Sequence, residues 1–123
     1  MTVLERSLRG KLNNRSGRTA EVAVAARYMD LGARLLATRW RGKAGEIDLI
    51  FEACGVVVFV EVKSSDCFEK AAASLSVRQQ LRIMAAAEEY IGSLPTGLLT
   101  EMRVDVALVA GGAVQVIEGA LGL

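Results

Sequence analysis

The sequence predicts an α/β sandwich on a mixed sheet, with elements in the order α-β-β-β-α-β-β. Three observations lead there. Residues 46–53 and 56–63 alternate at period two, and shorter strand-like runs occur at 33–40, 102–110 and 113–118. Apolar residues recur at helical spacing between 19 and 30 and again between 77 and 91. Turn residues separate these runs at Gly32, Cys54-Gly55, Pro95 with Gly97, and Gly111-Gly112.

From the N-terminus, residues 1–18 carry Arg6, Arg9, Lys11, Arg15 and Arg18 with little apolar periodicity. Residues 1–15 are expected to form a flexible basic arm, and 16–123 a single domain. Ser16 or Thr19 can cap a helix that runs to about Asp30 and stops at Gly32. On that helix Glu21 shares a face with Val24, Ala25 and Tyr28, so a carboxylate points inward. It reads either as a first-turn acid favoured by the helix dipole or as part of an acidic site. Ala33–Trp40 is strand-like, and Arg39, Arg41 and Lys43 around Trp40 suit either a phosphate-contacting edge or a charged, aggregation-resistant strand edge. Ser64–Ser74 reads as a loop with room for a short helical turn. Ser76-Val77-Arg78-Gln79 is a capping box opening a helix to about Ile91, with Val77, Leu81, Met84 and Ile91 as its core stripe. Arg78 and Arg82 flank Gln79 as candidate phosphate ligands.

The chemistry concentrates at Gly45–Lys63, GEIDLIFEACGVVVFVEVK. A two-residue turn at Cys54-Gly55 pairs Ala53 with Val56 and places Asp48 across from Glu61 and Glu46 across from Lys63. The other face is then wholly apolar: Ile47 against Val62, Leu49 against Val60, Phe51 against Val58. A slip of one residue would set carboxylates against valines, so the pattern itself selects the register. Opposed residues have Cβ atoms roughly 4.5–5.5 Å apart. Two carboxylates that close repel, so one takes a proton unless a cation lies between them. A hard divalent ion meets that need, and Lys63 would lie beside its water and a bound phosphate. The plainer alternative is a solvated sheet face with a surface ion-pair cluster. Against it, the acidic face also carries Ile50, Val57 and Phe59.

Composition narrows the chemistry. The chain has no His, which removes Ser-His-Asp and Cys-His catalysis and His-ligated zinc. Residues 1–45 hold ten Lys/Arg against three Asp/Glu, while 46–123 hold five against eleven, a distribution suited to a polyanion held over a metal. A solvated basic arm without a partner gives the same distribution. Cys54 and Cys67 are too few for a disulfide framework and read as reduced thiols in a cytoplasmic protein. No apolar run approaches the ~18 residues of a membrane span, and MTVLERSLRG lacks the apolar core of a signal peptide.

GEIDLI at 45–50 followed by FVEVK at 59–63, after a helix bearing Glu21 and before RVDV at 103–106, resembles the YraN family of presumed endonucleases. That family belongs to the restriction-endonuclease-like PD-(D/E)XK superfamily, close to archaeal Holliday-junction resolvases. The resemblance implies a restriction-endonuclease-like α/β/α sandwich hydrolysing DNA phosphodiester bonds, with branched and repair DNA among the substrates. It implies that Asp48, Glu61 and the Val62 carbonyl bind Mg²⁺ or Mn²⁺, that Lys63 orients or activates the water, and that Glu21 completes the site. DNA contacts fall to Arg39, Arg41, Lys43 and Arg78, and a homodimer is the assembly suggested by the related resolvases. The chain departs from the family pattern at Ser65, where Arg is frequent, at Arg78, where Lys is frequent, and at Arg39, where Asn is frequent. Two rivals remain: a non-catalytic nucleic-acid-binding module on the same fold, and a protein-interaction domain whose charged hairpin has no ligand.

Overall fold

The computed structural model describes residues 19–121, so the expected arm at 1–15 and the candidate cap Ser16 lie outside the described residues. The element order is helix α1 (Thr19–Asp30), strands β1 (Arg34–Arg41), β2 (Glu46–Ala53) and β3 (Val56–Ser64), helices α2 (Phe68–Ala73) and α3 (Val77–Gly92), a 3₁₀ turn at Gly97–Leu99, and strands β4 (Met102–Ala110) and β5 (Ala113–Ile117). The strands form one sheet in the order β1-β2-β3-β4-β5. Only β3 and β4 run parallel, joined by the α2–α3 crossover; the other neighbours are antiparallel. This is the mixed α/β architecture expected from the pattern, with α2 realised as the short helical turn after β3.

Each face of the sheet carries its own core. On one, Val24, Ala25 and Tyr28 of α1 pack on Leu35, Leu49, Phe51, Val58, Val60, Ala107 and Val109. Tyr28 stacks on Phe51 with ring centroids 4.7 Å apart. On the other, Ile83, Ala86, Ala87 and Ile91 of α3 pack on Ile47, Ile50, Val57, Phe59, Val104, Val106 and Leu108. The face of α1 expected to be buried is the buried one, Glu21 included. Thr19 is itself helical rather than a cap.

The stripe expected on α3 needs correction. Val77 and Leu81 are 71% and 66% exposed, while the buried positions are Ile83, Ala86, Ala87 and Ile91. Large apolar side chains suggested one face, but the two alanines let the helix backbone lie close to the sheet, and closeness decides which face is buried. The capping box is present as expected: Ser76 accepts from the Gln79 N–H, and the Gln79 side chain accepts from the Ser76 N–H.

The hairpin turn has both central residues left-handed, Cys54 at φ 52° and Gly55 at φ 81°. That combination matches the twist of the flanking strands. Pairing then follows the expected register from Ala53↔Val56 to Leu49↔Val60, where the ladder ends. Beyond it the alternation fails. Arg39 of β1 is left-handed at φ 49°, so Ala37 and Trp40, three residues apart, both face the α3 layer. Ile47, the partner of Trp40, follows it there instead of lying with Leu49 and Phe51 opposite Val62.

Candidate functional site

That break in alternation creates the site. Asp48, one residue past the end of the β2–β3 ladder, accepts the Val62 N–H on its Oδ2 at 2.8 Å. A side chain therefore satisfies a backbone donor that a regular ladder would have paired. Glu61 lies beside Asp48, whose carboxylate acts on it through charge and a hydrogen bond. Burial, then the charge and hydrogen bond of Asp48, push the Glu61 carboxyl up to about 8, with Lys63 pulling the other way. Lys63 Nζ lies 3.4 Å from Glu61 Oε2, and both side chains are mostly buried, at 17% and 14% exposed.

The other expected residues make contacts of their own. Glu21, from α1, faces Arg39, with Oε2 4.0 Å from Arg39 Nε. Arg39 Nε also lies 3.6 Å from Glu46 Oε1, and Arg41 lies 3.3 Å from Glu46 Oε2. Glu46 is thus answered by the arginines of β1 and not by Lys63, as the simple register had it. Arg41 is well exposed. Lys43 is exposed in the β1–β2 turn, and Arg78 is exposed in the first turn of α3. Trp40 is not presented outward among these cations; its ring meets Tyr90 edge-on at 5.4 Å in the α3 core.

Two organising residues escaped the sequence reading. Glu89 of α3 accepts the backbone N–H groups of Lys43 at 3.0 Å and Ala44 at 3.1 Å, which holds its carboxyl below the usual range and fixes the basic turn against the helix. Nothing local in the sequence announces a helix-borne cap for a turn 45 residues away. Asp105 of β4 is fully buried and accepts from Tyr28 Oη at 2.6 Å, Arg103 Nε at 3.1 Å and the Gly119 N–H at 2.9 Å. The signal for it was there: in RVDV, Arg103 and Asp105 stand two apart, on one face of an otherwise apolar strand. It belongs to the α1 side of the packing, where burial and the bond to Asp105 raise the Tyr28 hydroxyl far above its ordinary pKa.

Chemically, the Asp48–Glu61 pair is short of positive charge, because Lys63 alone leaves one carboxyl favouring its protonated form. Two carboxylates with the Val62 carbonyl are hard oxygen donors that could hold Mg²⁺ or Mn²⁺. Among the described residues, no group of three or more acidic or thiol side chains is gathered to hold an ion by itself. No described helix is long and apolar enough to cross a membrane.

Fold and hairpin together define a three-layer α/β protein with a carboxylate pair and a lysine where two central strands part. The model of the Uncharacterised protein family UPF0102 matches residues 20–109. A UPF0102 protein of Roseobacter denitrificans is 50% identical over 113 residues, covering 91% of this chain and 88% of its own. One from Ruegeria pomeroyi is 49% identical over 115 residues, covering 93% and 94%. One from Cereibacter sphaeroides is 48% identical over 112 residues, covering 90% and 96%. The chain belongs to the UPF0102 family, the YraN-like group of presumed endonucleases.

Proposed function

We propose that this protein is a divalent-metal-dependent endonuclease hydrolysing phosphodiester bonds in DNA, with branched and repair or recombination DNA as its first candidate substrates. The observation that carries the reading is the partly buried Asp48–Glu61 carboxyl pair with Lys63 at 3.4 Å from Glu61, built where β2 leaves β3. A fully solvated sheet face would not draw two acids partly out of water beside each other. Asp48, Glu61 and the Val62 carbonyl would hold Mg²⁺ or Mn²⁺. The ion supplies charge neutralisation at the phosphoryl group and acidifies water. Lys63 donates to the attacking water or a phosphoryl oxygen and so orients the nucleophile. Arg41, Lys43 and Arg78, all exposed, contact the DNA backbone. A reducing, cytoplasmic setting belongs to the proposal and is supported by two free cysteines.

The test is Mn²⁺ titration of the purified protein with linear, nicked, flapped and four-way DNA. Cleavage should require the metal and disappear in Asp48→Asn and Lys63→Ala while DNA binding is retained. Salt-sensitive binding without cleavage under any metal would instead identify a non-catalytic nucleic-acid-binding module.

A further inference from the structure

Arg39 has two features that cost free energy. It is a non-glycine residue at φ 49°, a conformation that L side chains disfavour. Its Nε is also buried without a hydrogen-bond partner. What offsets them is charge: the same Nε lies 3.6 Å from Glu46 Oε1 and 4.0 Å from Glu21 Oε2. The register places Arg39 opposite Asp48, between the pairs Thr38↔Leu49 and Trp40↔Ile47.

Resting on the metal-site reading above, we propose that Arg39 is a built-in cation standing in place of a second divalent ion, so that this centre takes one ion only. Arg39 acts as a positioning residue. It engages Glu21 and Glu46, leaving Asp48 and Glu61 as the acids for the metal. The separation agrees with the finding that no three acids gather as a metal-holding group among the described residues. Charge points the same way. Among the described residues, Arg39 and Arg41 face Glu21 and Glu46, and Lys63 faces Glu61. One divalent ion held by Asp48 and Glu61 meets the acids that Arg39 does not engage. A second would have to enter against a guanidinium already held by its carboxylates.

The experiment counts Mn²⁺ ions bound by the full chain without DNA, by calorimetric titration and by electron paramagnetic resonance of free Mn²⁺. Arg39→Asn removes the charge while suiting the left-handed backbone, since Asn tolerates that region well. Arg39→Lys keeps the charge. Wild type and Arg39→Lys should each bind one ion, whereas Arg39→Asn should bind a second, weaker ion. A merely structural role for Arg39 would leave all three counts equal. The inference is overturned by Arg39→Asn binding one ion with wild-type affinity, or by wild type binding two. Wild type binding none would overturn it together with the metal-site reading, which separates the two failures.

Discussion

Glu61→Gln tests the electrostatics of the site without any substrate. In the folded protein, burial and the facing Asp48 raise the Glu61 carboxyl from the ordinary 4.5 to about 8. An acid whose folded-state pKa is raised stabilises the fold fully below its unfolded pKa, and that contribution is lost as pH rises through the folded value. Metal-free wild type should therefore lose stability between pH 4.5 and about 8. At about 1.36 kcal/mol per unit the interval corresponds to roughly 5 kcal/mol, which side-chain relaxation and water entry reduce to a few kcal/mol. With about 3–5 °C in Tm per kcal/mol for a chain of this size, the melting temperature should fall by about 10 °C from pH 5 to pH 9 in EDTA. Gln at position 61 has no proton to lose. Its profile should be flatter and should lie above wild type at the alkaline end. Saturating Mn²⁺, at about 100 times its dissociation constant, should stabilise wild type by about 2.7 kcal/mol and the variant far less. Calorimetric melts across this pH range read all of these. Parallel profiles for the two proteins, or a variant less stable than wild type at pH 9, would refute the idea that Glu61 is buried against a second carboxylate.

Three further predictions concern the frame around the site. Asp105→Asn, which sets an amide among three donors in a fully buried position, should cost about 3–5 kcal/mol in chemical denaturation. Gly42→Ala would set its Cβ 2.6 Å from both Glu89 Oε1 and the Trp40 ring. It should displace the Glu89 cap, raise amide exchange at Lys43 and Ala44, and cost about 1–3 kcal/mol. On α3, Leu81→Ser should change stability by less than about 0.5 kcal/mol because Leu81 is exposed, whereas Ala87→Leu should cost about 1–3 kcal/mol by overfilling the helix–sheet contact.

The strands, the buried face of α1 and the capping box of α3 were legible because each rests on short-range periodicity or a local hydrogen bond. The hairpin register was legible from Leu49 to Ala53 because a slip would bury carboxylates among valines. It stopped being legible at Asp48. The departure there lies opposite Arg39 on the neighbouring strand, and a left-handed arginine leaves no mark in a sequence. For the same reason Glu46 looked destined for Lys63 and instead meets Arg39 and Arg41. On α3, side-chain size does not track burial: Ala86 and Ala87 are the residues that let the helix approach. Glu89 lay beyond reach because its role depends on how a distant turn docks.

The parallel seam between β3 and β4 bears on how the acids come together in time. Asp48 and Glu61 sit in one local hairpin, while Val57 finds Met102 only after the whole crossover has been laid down. Nearby hairpins zip in about 1–10 μs, and distant parallel pairing is slower. The two carboxylates would then meet while still hydrated and ionised, and water would be squeezed from Glu61 only when β4 and α3 close over the hairpin. Proton capture becomes a late event of assembly, so alkaline buffer should retard the closing stage and leave hairpin zipping unchanged. Stopped-flow refolding followed through Trp40, which reports closure of the α3 layer, would resolve that stage.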